Sequence, residues 1–486
     1  MSQLLVAPEL LASAAGDVNG ISAALRAANA AAAAPTSSLV AAAGDEISTA
    51  TAALFSGYAQ EYQAVLKQVG AFEFEFAQAL AAAASSYTQA EAAAGAALAG
   101  ASNAVNAPIQ SLLGQAATGG GAPVAAATTA LIMGGTANPL PDLFYIADVN
   151  KNYIQKLFLG AIPQGLFTPE QFWPVTPDLG NMTYNQSTAK GVAILDAAIK
   201  HQIVDLGNKV VGFGYSQSAS IVNNEILALM AAGSPYQGDL SFIMAAAGNN
   251  PNGGLLARFP GFYLPFLDVP FNGATPANNP YPTQIFTAQY DGIAHTPQYP
   301  LHILSDINAV MGYFYVHPNY PTFPATDAVP LPTSPGYTGN TQYYMFLTQD
   351  LPLLQPIRNI PYAGPPIADL FQPQLRVLVD MGYSDYGYAD LPTPAGLLSI
   401  PNPINIGYYL IKGTLQAPYA AAVEIGVEAG FWGPEYFPDT YPWVPSLNPG
   451  LNIYLGPALS QPPVTALSLL SGGLGDVLHI IPPIFN

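Results

Sequence analysis

The strongest chemical signal in the chain is Gly214-Tyr215-Ser216-Gln217-Ser218, preceded by Val210-Val211-Gly212-Phe213. A β-type run leads into Gly-x-Ser-x-Ser, and a helical pattern follows at once. Small residues on either side of the serine, Gly214 and Ser218, permit the sharp strand-to-helix turn that exposes a nucleophile at a sheet's C-terminal edge. The N-terminus of the next helix would then lie beside the oxyanion formed when Ser216 attacks a carbonyl. The five-residue pattern alone is common in a chain rich in Gly and Ser. The strand-turn-helix setting gives it weight.

A serine is inert without a base and an orienting acid. In this setting the chain order should be Ser, then Asp or Glu, then His. Only five histidines exist: His201, His295, His302, His317 and His479. His201 precedes the serine within a helical pattern and reads as a surface or packing residue. His479 belongs to an apolar run and reads as structural. His302 follows Pro300 at the start of a helical pattern and suits a capping or surface role. His317, in Tyr315-Val316-His317-Pro318-Asn319-Tyr320, lies after that helix in a Pro-stiffened loop and is the best placed base. Asp291 follows an expected strand, where an orienting acid belongs; Asp291-Gly292 also reads as an ordinary turn. His295 is only four residues beyond Asp291, which leaves little room for separate strand-end loops.

The first expected strand ends in Met133-Gly134-Gly135-Thr136, where glycines let the backbone approach a ligand. The loop lacks the Lys and spacing of a P-loop, so nucleotide binding is disfavoured. No His-Glu-x-x-His occurs. Asp148-x-Asn150-x-Asn152 opens like a calcium loop but continues with Tyr153 and fails. No metal site and no cofactor are expected.

The elements that must hold these residues read as alternating strands and helices. Apolar runs at 128–133, 209–213, 240–245, 284–289 and 343–347 predict strands. Helical spacing covers 187–206 and 217–232. Strands alternating with helices predict an α/β layered fold with a mostly parallel sheet, buried on both faces. Past Asp350 the pattern decays into Pro-, Tyr- and Gly-rich sequence, with Leu375–Val379 as a possible late strand.

At 486 residues, two or three folding units are expected. Charged residues make up only 8%, against roughly a quarter in ordinary soluble proteins, while half the chain is hydrophobic. This combination argues for a packed core and against disorder. A net charge of −19 offers no basic patch, which excludes a nucleic-acid binder. The absence of cysteine excludes disulfides, thiolate zinc sites and a cysteine nucleophile. Charge-free windows between Glu91 and Asp142 and between Asp439 and Asp476 are laced with Gly, Pro, Asn and Ser, so neither reads as a membrane span.

The N-terminal region reads as a helical hairpin. Leu11, Ala14, Val18, Ile21, Leu25 and Ala28 share one face, and Tyr58, Tyr62, Val65, Val69, Phe72, Phe76 and Leu80 share another, with Pro35-Thr36-Ser37-Ser38 as the turn. Two helices rarely bury enough surface to stand alone. The hairpin would therefore complete a bundle with a partner or pack on its own chain.

The Pro8-Glu9 pair, the Ala-rich hairpin and Tyr87-Thr88-Gln89-Ala90-Glu91 resemble the mycobacterial PE family. The last stretch matches the Tyr-x-x-x-Asp/Glu signal of type VII secretion substrates, carried here by Tyr87 and Glu91. The resemblance implies export by type VII secretion to the cell envelope, cell surface or medium, and pairing with a PPE-family protein. Met133-Gly134-Gly135-Thr136, the Ser216 motif, Tyr290-Asp291-Gly292-Ile293-Ala294 and Val316-His317-x-x-Tyr320 resemble the PE-PPE domain, a serine α/β-hydrolase-like domain. By position this implies Ser216 as nucleophile, Asp291 as orienter and His317 as base. It also implies the backbone N–H groups of Gln217, Gly135 and Thr136 as oxyanion donors. The implied activity is esterase or lipase chemistry on acyl esters; the same site could serve an acyltransferase, or a silent domain of a surface protein. The family motif leads one to expect an acid after Ile293-Ala294, where this chain has His295. The expected layout is residues 1–91 as PE hairpin, 92–127 as Ala/Gly-rich linker, 128–350 as catalytic core and 351–486 as an extension packed on it.

Overall fold

The computed structural model describes residues 126–383, 387–397 and 399–453, with scattered positions between 30 and 63. Two compact units form, Met1–Ala122 and Pro123–Asn486. In the first, positions 51–53 and 55–57 are helical. Tyr87, Glu91, most of the expected linker and His479 lie outside the described residues.

The second unit is built on a seven-stranded sheet. Its strands are β1 (Thr128–Ile132), β2 (Ile162–Gly165), β3 (Lys209–Tyr215), β4 (Leu240–Ala245), β5 (Thr283–Ala288), β6 (Val329–Pro330) and β7 (Thr341–Phe346). The spatial order is β2-β1-β3-β4-β5-β7-β6, and every pairing is parallel except β6 with β7. Side chains alternate across the pleat. Val210, Phe242, Met244 and Ile285 enter one core, while Val211, Phe213, Ile243 and Phe286 enter the other. Both faces are therefore buried, which is why these strands read as continuous apolar runs.

Among the described residues, helices of at least seven residues are α1 (Leu143–Val149), α2 (Tyr184–Lys200), α3 (Gln217–Ala231), α4 (Ile303–Tyr315), α5 (Gly364–Asp380) and α6 (Pro403–Glu428). Leu195 and Ile199 of α2 and Ile221, Val222 and Ile226 of α3 pack into the first core. Val149 of α1 packs into the second. Helix α2 starts at Thr183, whose hydroxyl accepts the Gln186 N–H while the Gln186 side chain accepts the Thr183 N–H. The chain is thus an α/β fold with a mostly parallel sheet between helical layers.

One sequence expectation needs correction. Leu375–Val379 is no strand; it lies inside α5. Helix α5 buries Ala368, Gln372, Arg376 and Val379 at steps of four and three, and carries Pro373 in its interior. That proline, and Pro418 inside α6, hid two helices in the Pro-rich region. Strand β2 also went unread. It contains Pro163, which an edge strand tolerates because one side of its backbone faces no neighbour.

The topology explains where chemistry can occur. From β1 the chain forms β2 on one side, then crosses to place β3 on the other. The crevice between loops leaving β1 and β3 is a topological switch point, where ligands of parallel sheets bind.

Candidate active site

Ser216 occupies the turn between β3 and α3 with φ 56° and ψ −113°, a backbone conformation that costs on the order of 1–3 kcal/mol. The turn is anchored at both ends. The Ser216 N–H donates to Ala245 O at 3.0 Å, and Ser218 Oγ accepts the Tyr215 N–H at 2.8 Å. A Cβ on Gly214 would lie 2.5 Å from Ser218 O, so only glycine lets α3 start this close to β3. A Cβ on Gly135 would lie 2.9 Å from the Tyr215 ring and 3.3 Å from Ser216 Cβ, so the β1 loop runs directly against the serine.

His317 follows α4 and is buried. Its Nε2 lies 2.8 Å from Ser216 Oγ, and its Nδ1 lies 2.9 and 3.0 Å from the two oxygens of Asp291. The carboxylate can only accept, so Nδ1 carries the proton and Nε2 is free to accept from Ser216. Asp291, in the loop after β5, is fully enclosed. Its oxygens also accept the Ile293 N–H at 2.8 Å and the Tyr320 hydroxyl at 2.7 Å. Burial pushes its carboxyl up; the electrostatic pull of the His317 ring and its hydrogen bond, with the Ile293 and Tyr320 donors, more than offset this and hold it below the usual range. The Tyr215 hydroxyl donates to His317 O at 2.7 Å, and the Tyr215 and Tyr313 rings lie near parallel to the imidazole at 5.6 and 5.5 Å. The imidazole is thus fixed in tautomer, plane and position.

The residues expected to supply oxyanion donors are stitched together through a side chain. Thr136 Oγ1 donates to Gln217 Oε1 at 2.8 Å, and Gln217 Nε2 donates to Gln171 O at 3.0 Å and Ser187 Oγ at 2.9 Å. The Gln217 N–H is at the first position of α3, where a helix offers no internal acceptor. Ser216, Asp291, His317, Gly135, Thr136, Gln217, Gly214 and Ser218 therefore converge on one corner of the sheet. Such a corner can pass a proton from serine to imidazole while backbone donors face a developing oxyanion.

The PE family model matches residues 4–94, and the PE-PPE domain model matches residues 160–384. Over its whole length the chain is 53% identical to the whole of PE family protein PE3 of Mycobacterium tuberculosis. This chain is a PE family protein. Its PE-PPE match contains Ser216, Asp291 and His317, while Gly135 and Thr136 precede it. Esterase PE16 of Mycobacterium tuberculosis is 44% identical over 82% of this chain and 73% of its own length. SL1278 acyltransferase Chp1 of the same organism is 29% identical over 54% of this chain and 65% of its own length.

Other residues of this PE-PPE domain acquire roles that spacing did not show. Tyr320 joins the acid to the sheet, since its oxygen also accepts the Ala288 N–H at 2.6 Å. Gln171 and Ser187 come from the connection between β2 and α2 and its helix, far from Ser216 in sequence, and only tertiary structure brings them in. The buried Arg376 of α5 donates to the Tyr290 hydroxyl at 2.9 Å and to Thr348 O and Gln349 O, pinning the residue next to Asp291.

His295 does not enter this corner. Its Nδ1 accepts the Tyr290 N–H at 3.0 Å, its ring stacks on Tyr383 at 4.7 Å, and burial lowers its pKa to about 3, so it is neutral. It lines a cavity of about 310 Å³ together with Asp380 and Tyr383, whose lining includes neither Ser216 nor His317. His302 starts α4 and bonds Ser399 at 3.1 Å without capping the helix. His201 is exposed and pairs with Asp205. Among the described residues no cluster of three metal-ligating side chains occurs.

Proposed function

We propose that this PE family protein is a serine carboxylic-ester hydrolase acting on lipid-like acyl esters, with Ser216 as nucleophile, His317 as base and Asp291 as orienting acid. The observation that carries the reading is the continuous hydrogen-bond path from Ser216 Oγ through both His317 nitrogens to Asp291. The name of the relative Esterase PE16 supports the same class.

In this reading Ser216 Oγ attacks the ester carbonyl carbon as its proton passes to His317 Nε2. Asp291, held ionised, stabilises the imidazolium. The tetrahedral oxyanion accepts from the N–H groups of Gln217 and of the Gly135–Thr136 loop. Collapse expels the alcohol, which takes the proton from His317 and leaves an acyl-Ser216. Water then repeats the sequence and releases the acid. The strained turn at Ser216 holds its oxygen against His317 Nε2, so the proton can pass as attack begins. Ser216→Ala should abolish hydrolysis of p-nitrophenyl butyrate and labelling by a fluorophosphonate probe while leaving the circular dichroism spectrum unchanged. Retained turnover overturns the assignment.

A second reading is acyl transfer, in which a cell-envelope alcohol replaces water in the second half. The likeness to SL1278 acyltransferase Chp1 favours it. Product analysis with an acceptor alcohol present separates the two. The 2.8 Å contact between Ser216 and His317 supports either reading over a silent surface domain. For the N-terminal module, the match to the PE family supports export by type VII secretion with Tyr87 and Glu91 as signal, pairing with a PPE-family protein and residence in the envelope or outside the cell. Deleting residues 1–91 should then leave the protein in the cytosol.

A further inference from the structure

Helix α4 is turned inside out. Its buried residues are Ser305, Asn308, Ala309 and Gly312, all small or polar. Ser305 Oγ donates to Val379 O at 2.6 Å and Asn308 Oδ1 accepts the Leu353 N–H at 3.0 Å. A Cβ on Gly312 would lie 1.8 Å from Tyr290 O, so the helix meets the loop before Asp291 backbone to backbone. Hydrogen bonds and close backbone contact hold α4 in place, and its large apolar residues face out. Ile303, Ile307, Val310 and Phe314 are 70, 43, 56 and 62% exposed. Their spacing of four, three and four places them in one row along the helix. A globular helix ordinarily shows the reverse arrangement.

Three observations say what this row meets. The row ends at the catalytic corner: Tyr313, beside Phe314, stacks on His317, and the helix leads into His317 through Val316 alone. An apolar chain lying along the row is therefore delivered to Ser216. Between Leu301 and Tyr315 the only acidic or basic side chain besides His302 is Asp306, so the face offers no ion pairs. The net charge of −19 repels anionic headgroups. A contiguous exposed apolar row beside a site marks an interaction surface.

We propose that the Ile303–Ile307–Val310–Phe314 face docks on the surface of aggregated, uncharged ester lipid and feeds acyl chains to Ser216. The proposal rests on the hydrolase reading for its second half only. The chain has no cysteine, so a single one can be labelled cleanly. In full-length protein carrying Ser216→Ala, Ile307→Cys with an environment-sensitive dye should emit as water-exposed alone. It should shift to the blue on addition of triolein droplets, at low and at high salt. Val204→Cys, exposed and apolar near the start of β3 at the opposite sheet edge, should not shift. In otherwise wild-type protein, the triple variant Ile303→Ser, Ile307→Ser, Val310→Ser should lose about tenfold or more on emulsified tributyrin. On dissolved p-nitrophenyl butyrate it should change by less than about twofold, as expected for surface positions. A dye already blue-shifted without droplets would show the row covered by a second copy or by the chain itself, and would overturn the proposal. So would a triple variant that keeps emulsion activity. If the chain is no ester hydrolase, wild type turns over neither substrate, while the dye still decides docking.

Discussion

Asp291 and Glu170 are both fully enclosed carboxyls near the C-terminal edge of the sheet, yet they hold different charge states. Asp291, after β5, receives His317 Nδ1, the Ile293 N–H and the Tyr320 hydroxyl, and stays below the usual carboxylate range against the upward push of burial. Glu170, between β2 and α2, receives only the Thr168 hydroxyl at 2.7 Å, and its second oxygen has no partner among the described residues. Burial pushes its pKa to about 8, with the Thr168 bond offsetting only part of the rise. The difference teaches that enclosure by itself neutralises a carboxyl; several converging donors are needed to keep one charged. The charged one belongs to the corner proposed as catalytic. The neutral one sits beside it: the backbone carbonyl of Glu170 accepts the Ala137 N–H at 3.0 Å just beyond the Gly135–Thr136 loop.

The sharpest way to break this comparison is Asp291→Asn. The amide can turn an N–H toward Nδ1 and stabilise the wrong imidazole tautomer, so turnover of p-nitrophenyl butyrate should fall about 10⁴-fold. A loss smaller than about tenfold would place Asp291 with Glu170 as a packing group. Tyr320→Phe tests the donors one at a time. It removes one hydrogen bond from Asp291 and leaves the Ala288 N–H unpaired. A fall of about 10- to 100-fold in kcat is expected, with about 1–3 kcal/mol lost from stability in urea melts. An unchanged kcat would mean that His317 and the Ile293 N–H keep the acid charged without it. Thr136→Val should cost less, about tenfold in kcat at constant KM, because it frees Gln217 Oε1 and loosens the link between the two donor loops. A change confined to KM would instead assign Thr136 to substrate binding.

The same contrast explains what was legible beforehand. Ser216 could be read because its turn is local: a strand, small flanking residues and a helix follow one another in sequence. Asp291 and His317 could be narrowed because five histidines and one strand-end acid leave few pairings. Glu170 could not, since its enclosure depends on neighbours such as Tyr145 and Tyr184, which share its electrostatic surroundings but not its segment. Leu375–Val379 misled for the opposite reason. Its Val- and Leu-rich run satisfies a strand pattern locally, and only burial of Ala368, Gln372, Arg376 and Val379 along one face makes it helix. His295 likewise stood where an acid was expected; its tertiary partners make it a neutral acceptor for the Tyr290 N–H.

Glu170→Gln gives the smallest effect on activity and the cleanest effect on stability. A folded-state pKa of about 8, above the ordinary 4.5, means that the folded chain keeps a proton the unfolded chain releases. The stability tied to that proton is fully present below the unfolded value and is lost as pH rises through the folded one. Between the two values the loss runs at about 1.4 kcal/mol per pH unit, on the order of a few kcal/mol in total. The amide holds no titrating proton, so the variant should gain on the wild type as pH rises from near 5 to near 8 in urea melts, while turnover at neutral pH changes by less than about twofold. A stability difference that does not vary with pH would show that Glu170 finds donors and is ionised in the folded chain, which would erase its contrast with Asp291.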